Sequence, residues 1–220
     1  MDWTAFIDGY CERTDASYWS EPVNAVTNLA FIIAAAIMWR RTAGLGLPLA
    51  RALVAILFAI GIGSYLFHTH AQTWAAISDS TPIMLFSLLY IFLASRDYFG
   101  LPTWVAGLLT AAYFPYSFAV GWVAAQLPFF SISDYYWPLP LLIAIYAVLL
   151  RNRYPETARG LAIGSAILVA SLTFRSLDMP VCGAFPLGTH FMWHILNGLM
   201  LGWMIEVYRR HMLAARSARG

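Results

Sequence analysis

The sequence predicts an all-α fold, an integral membrane bundle of seven transmembrane helices. Three observations predict it. The 220-residue chain is 60% hydrophobic and 11% charged, whereas a soluble domain carries about 25% charged residues. Long apolar stretches recur along it, punctuated by prolines, glycines and short arginine clusters. Those arginines fall on alternate connections, as membrane topology requires. The net charge of +2 sits in these clusters and implies no nucleic-acid partner. All 13 basic residues are arginine, a skew that points to a GC-rich, bacterial genome.

The elements follow in order. Residues 1–21 form an acidic segment, with Asp2, Asp8, Glu12, Asp15 and Glu21 against Arg13. No basic region precedes an apolar core, so no cleavable signal peptide is expected. Glu21-Pro22 opens the first span, which runs to Trp39 and stops at Arg40-Arg41. After a GLGLP turn and Arg51, the second span runs from Leu53 to Phe67. The third begins near Asp79-Ser80-Thr81-Pro82, with Asp79 as a candidate N-cap and Pro82 in the first turn. It ends before Arg96-Asp97. The fourth span covers Trp104 to Val120, and a polar, aromatic link with Asp134 leads to the fifth, Tyr136 to Leu150. The sixth is Leu161 to Phe174, the seventh Leu187 to Tyr208, and residues 209–220 form a basic tail. A spanning helix needs about 20 mainly apolar residues, so several of these are short or tilted. No internal repeat or linker appears, so residues 1–220 read as one domain.

The arginines also orient the bundle. Arg40, Arg41 and Arg51 follow the first span, Arg151, Arg153 and Arg159 the fifth, and Arg209, Arg210, Arg216 and Arg219 the seventh. The other side carries the acidic segment, Asp79, Asp134 and Asp178, with Arg13 and Arg175. The N-terminus is therefore expected outside and the C-terminus in the cytoplasm, in a bacterial inner membrane. Cys11 and Cys182 then both face an oxidising space and are candidates for a disulfide. Arg175 and Asp178 are expected to form an ion pair in the outer loop.

This topology brings a set of reactive side chains to one depth. Ser64 and His68 are four residues apart, as are His190 and His194, so each pair shares a helix face. His68 ends the second span, Asp79 starts the third, and His190 and His194 open the seventh. Polar groups at the hydrocarbon edge are costly, and function is the default reading of such a cluster. Three neutral imidazoles make a common catalytic zinc shell with the fourth position open. Asp79 is placed to shuttle a proton, and Ser64 to donate a hydrogen bond to a developing oxyanion. His70 points elsewhere on its helix and reads as interfacial, and His211 belongs to the basic tail. Asn24, Asn28 and Asn197 read as interhelical hydrogen-bonding groups.

At these residues the chain resembles the alkaline ceramidase family, within the larger group of seven-span hydrolases that includes adiponectin and progestin receptor relatives. The resemblance is carried by Tyr10 to Arg13 (YCER), Trp19 to Asn28 (WSEPVNAVTN), GSYLFH with Asp79 eleven residues after His68, and HFMWH. It implies zinc on His68, His190 and His194, with Ser64 and Asp79 catalytic. It implies hydrolysis of the amide of a ceramide or similar N-acyl membrane lipid to an amine and a fatty acid. Eukaryotic members also bind calcium in an acidic N-terminal segment, which implies Asp8, Glu12 and Glu21 as calcium ligands here. Arg13 and Thr14 stand where those members carry an acidic residue and an asparagine. Two other readings compete: a receptor-like or structural seven-span protein whose metal only braces the bundle, and a haem protein with His68 and His194 as axial ligands.

Overall fold

Pro22, Pro48, Pro138 and Pro155 each stand in the first turn of a helix, where the missing N–H costs nothing. These four residues punctuate a computed structural model that describes residues 2–218. Arg219 of the basic tail lies outside the described residues. The helices in chain order are α1 (Pro22–Thr27), α2 (Leu29–Thr42), α3 (Pro48–His70), α4 (Thr73–Leu93), α5 (Thr103–Ala125), α6 (Pro138–Leu150), α7 (Pro155–Val181) and α8 (His190–Ser217). A π-helical turn, Ala94–Tyr98, extends α4, and a 3₁₀ turn, Ser131–Ser133, precedes α6. Among the described residues the only β pairing is an isolated bridge between Phe6 and Gln72.

α1 and α2 form one bent segment. At the bend the Asn28 Nδ2 donates to the carbonyls of Asn24 (2.9 Å) and Ala25 (3.4 Å). Such back-bonding by a short polar side chain competes with the helical ladder and bends it. Among the described residues, five segments are long and apolar enough to cross a membrane: Pro22–Thr42, Pro48–His70, Thr73–Tyr98, Thr103–Ala125 and Pro155–Val181. The expected seven spans are thus met in part. α6 has only 13 residues, and α8, at 28 residues, carries Glu206, Arg209 and Arg210 along its length. α5 turns Trp104, Leu108, Phe118 and Trp122 outward, the arrangement of a helix whose surroundings are as apolar as its own side chains.

The third span does not begin at Asp79. α4 starts at Thr73, so Asp79 lies inside the helix and caps nothing, and Pro82 is an interior proline. Pro82 has no N–H for the Ser78 carbonyl four residues back. At that level α3 presents Gly63, where an added Cβ would overlap the Ser78 carbonyl oxygen and lie 3.2 Å from the Asp79 nitrogen. The absence of a side chain lets α3 and α4 meet backbone to backbone. The contact sets Ser64 and Asp79 at one level of the α3–α4 interface.

α3 also packs against α2 and α8, and α7 lies between α6 and α8. At the end of the bundle where α4 finishes, a polar cluster closes on itself. Tyr90 Oη is 2.8 Å from Tyr98 Oη and donates to the Met204 carbonyl at 3.1 Å. Tyr208 donates to Asp97 at 2.7 Å, Arg96 forks onto the same carboxylate, and His211 Nδ1 meets Thr157 Oγ1 at 2.9 Å.

Candidate functional site

The opposite end, where α3 finishes and α8 begins, holds three buried histidines. His68 occupies the last turn of α3, and His190 and His194 occupy the first turns of α8. The spacing of four stacks the last two on one face. One ligand nitrogen from each of the three lies within 4.8 Å of the others. His68 Nε2 and His194 Nε2 stand 3.0 Å apart. Tetrahedral ligands at about 2.0–2.1 Å from zinc stand roughly 3.3 Å from each other, so the donor set and its size suit that ion. A haem does not fit, because no macrocycle passes between nitrogens 3.0 Å apart.

Two of the rings are fixed by a partner on Nδ1, and the third by a stacked ring. His68 Nδ1 meets Glu21 Oε2 at 2.6 Å, and His194 Nδ1 meets Thr27 Oγ1 at 2.9 Å. Such partners set tautomer and orientation, turning Nε2 toward a metal. Tyr10 stacks on the His190 ring with centroids 3.7 Å apart. The start of α8 is itself held by Asp178, whose Oδ1 accepts from the Thr189 and His190 backbone nitrogens and whose Oδ2 accepts from the Cys11 nitrogen. Gly188, at φ +62, fits closely here, and a Cβ would overlap Asp178 Oδ1. Asp178 is therefore not paired with Arg175 as expected. Arg175 donates instead to Ser133 Oγ, the Ile132 carbonyl and Tyr135 Oη.

Ser64 is fully buried, and its Oγ has no hydrogen-bond partner. Asp79 Oδ1 and His190 Nδ1 are likewise buried and unpartnered. Buried polar atoms are nearly always satisfied; Asn24, Asn28, Trp137 and Trp193 also carry unpartnered atoms, but these three stand out because they accompany the converging imidazoles. His70 turns back on its own helix, toward Thr69 Oγ1 and the Leu66 carbonyl.

The acidic segment folds over this end. The Cys11 and Cys182 sulfurs are bonded, with Cα atoms 5.4 Å apart. The carboxylates expected to share calcium are placed differently. Glu12 accepts from the Val23 and Asn24 nitrogens at 2.7 and 2.8 Å, satisfying the start of α1. Burial pushes its carboxyl up, against the pull of those bonds. Glu21 points to the histidines. Burial opposes its charge, yet hydrogen bonds from His68, Asn24 and Arg13 hold its carboxyl below the usual range. Asp8 is exposed. Among the described residues the three carboxylates do not converge as a ligand set, because two are already engaged and the Arg13 guanidinium bonds Glu21 at 2.5 Å. These residues do not fit a calcium ion.

Sequence reasoning missed Glu21 and Thr27 as partners of the histidines, Tyr10 as their cover, and Arg13. A helical bundle with this centre at one end is a membrane protein equipped to hold a metal ion. The chain belongs to the Ceramidase family, whose profile matches residues 4–218. Membership supports hydrolase activity on a ceramide-type lipid. No curated protein sequence matches the chain.

Proposed function

We propose that the protein is a zinc-dependent membrane amidase that cleaves the amide of a ceramide or similar N-acyl lipid to an amine and a free fatty acid. The observation that carries this reading is the convergence of His68, His190 and His194 beside the unpartnered Ser64 and Asp79. Zinc held by the three imidazoles would supply a Lewis acid and an acidified water. An amide is a poor electrophile with a poor leaving group, so the site must also move a proton. Asp79 Oδ1 accepts it from the attacking water and returns it to the departing amine nitrogen. Ser64 Oγ donates to the oxygen that gains charge. Tyr10 covers the centre and limits water.

An apolar seam supports a lipid substrate. It consists of two small cavities, one beside Tyr136 and Trp193, whose indole lies parallel to the His190 ring at 5.3 Å, and one beside Tyr146 and Met204, with Leu168 and Met200 lining both. Unbranched methionines adapt to a flexible chain. In this reading all seven helical segments cross a bacterial inner membrane, with α6 short and α8 ending in the headgroups. The disulfide and the acidic segment lie outside, and the arginine-rich end lies in the cytoplasm.

The test is release of free fatty acid from a panel of N-acyl lipids in detergent, with zinc content measured on the same samples. Wild type is expected to release fatty acid well above Asp79→Asn. Zinc-loaded wild type that releases no more than Asp79→Asn across the panel would replace this reading with a receptor-like or structural role.

A further inference from the structure

Arg13 is buried, with its side chain 0% exposed. Its guanidinium donates to four oxygens. They are Glu21 Oε1 at 2.5 Å and the backbone carbonyls of Asp15 (3.0 Å), Ser17 (3.5 Å) and His68 (2.8 Å). One carboxylate and three carbonyls form the kind of oxygen set that a hard cation gathers. Here the protein's own planar cation takes them.

Two of these contacts converge on one histidine. The His68 carbonyl lies in the last turn of α3, where helical carbonyls lack an intrahelical partner, and Arg13 satisfies it. The His68 ring is reached through Glu21. The carboxylate receives Arg13 Nε on Oε1 and meets His68 Nδ1 through Oε2 at 2.6 Å. Arg13 therefore grips His68 at both its backbone and its imidazole. Without the guanidinium, Glu21 Oε1 would be a buried carboxylate oxygen with no partner, Oε2 would be held by Asn24 Nδ2 alone besides the ring, and the direction of that ring would be less firmly set.

We propose that Arg13 is a positioning residue for the histidine centre. It is a protein-supplied cation standing where a divalent ion would otherwise tie the amino-terminal segment to His68, so that the centre works without calcium. The proposal takes from the proposed function only that the three histidines hold zinc. The fork geometry matters as well as the charge. Arginine reaches carboxylate and carbonyls in one plane, whereas lysine offers a point charge.

The experiment compares wild type, Arg13→Lys and Arg13→Ala in detergent. Zinc affinity is read by competition with a chromogenic chelator, and fold by circular dichroism and melting temperature. The Cys11–Cys182 bond and the Glu12 cap remain in both variants and keep the segment attached. Arg13→Ala is expected to bind zinc about 10–100-fold more weakly, the usual effect of losing a partner that orients a ligand. Arg13→Lys is expected to fall between, and millimolar guanidinium is expected to restore part of the Arg13→Ala loss. Wild-type zinc affinity and melting temperature should be the same in calcium chloride and in a calcium-selective chelator. Wild-type zinc affinity in a folded Arg13→Ala overturns the positioning role. If that variant does not fold, Arg13→Lys with unchanged affinity overturns it equally. A wild type whose zinc affinity falls when calcium is removed overturns calcium independence. Zinc-binding wild type that cleaves no lipid overturns the proposed function and leaves this inference standing, because affinity and not turnover is its readout.

Discussion

The two ends of the bundle carry similar chemistry arranged in opposite ways. Each buries histidine, tyrosine, threonine and carboxylate groups. At the end formed by Tyr90, Tyr98, Asp97, Tyr208 and His211, the groups answer one another. Tyrosine meets tyrosine, Asp97 takes both Tyr208 and Arg96, and His211 is held by Thr157 and the Asp97 carbonyl. At the histidine end, Ser64 Oγ, Asp79 Oδ1 and His190 Nδ1 have no partner, and two ring nitrogens face each other at 3.0 Å. A closed polar network rigidifies a core, whereas one left open beside converging ligands has vacant valences for chemistry. Residue type alone would not separate the two clusters, but the count of open valences does.

The sharpest way to break that comparison is to exchange a carboxylate for an amide at each end. Asp79→Asn keeps the shape and removes the proton shuttle. Turnover is expected to fall by about 10²–10⁴-fold while zinc stays bound. Asp97→Asn disturbs the Arg96 and Tyr208 bonds at the far end and should cost stability with zinc affinity and turnover near wild type. Fatty-acid release and metal content on both variants check this, and equal turnover losses would erase the distinction.

Ser64→Ala sharpens it next. Its hydroxyl faces Asp79 and makes no well-formed hydrogen bond in the resting protein, so removing it should cost the fold little. If it donates to the developing oxyanion, turnover falls by up to about 10²–10³-fold with the melting temperature unchanged. A drop in melting temperature with turnover intact would mark Ser64 as a packing residue.

Much of this contrast was legible in the sequence, and the rest was hidden for identifiable reasons. The HxxxH spacing at His190 and the SxxxH spacing at Ser64 survive folding because both pairs sit within one helix. Alternation of arginine clusters ordered the segments, so His68 was correctly placed at the same end as His190. The start of α4 was not legible, because Ser78, Asp79, Ser80 and Pro82 together resemble a helix beginning. Apolar residues from Trp74 to Ile77 carry the helix upstream of that signal. In the sequence Glu21, before Pro22, reads as an acidic ligand. Nothing local shows that it reaches a histidine 47 positions later in the sequence. Proximity in the sequence pairs Asp178 with Arg175. The fold instead spends it on three backbone nitrogens, two at the start of α8 and one at Cys11.

Thr27 and Thr157 allow a smaller, matched comparison. Each hydroxyl meets the Nδ1 of a buried histidine at 2.9 Å, His194 and His211 respectively. Thr27→Val removes the group that orients a ligand, so zinc affinity should fall about 10–100-fold. Thr157→Val removes the same bond from a histidine with no such duty and should leave zinc affinity unchanged. Chelator competition on the two variants reads the difference directly.

The smallest expected effect tests the closed cluster from within. Tyr90 Oη contacts Tyr98 Oη and the Met204 carbonyl, joining α4, its π-helical extension and α8. Tyr90→Phe removes one hydroxyl and keeps the ring packing. The Met204 carbonyl retains its place in the α8 ladder, so the main loss is the partner of Tyr98. In water, leaving a buried hydroxyl unpaired would cost about 1–3 kcal/mol. Within a membrane the unfolded helices also find partners, and measured interhelical hydrogen bonds average about 0.6 kcal/mol. A loss near that lower figure is therefore expected in detergent unfolding, with zinc affinity and turnover unchanged. A large fall in turnover from this single hydroxyl would mean that the two ends are coupled through α4 and α8, and that the closed cluster serves the reaction as well as the fold.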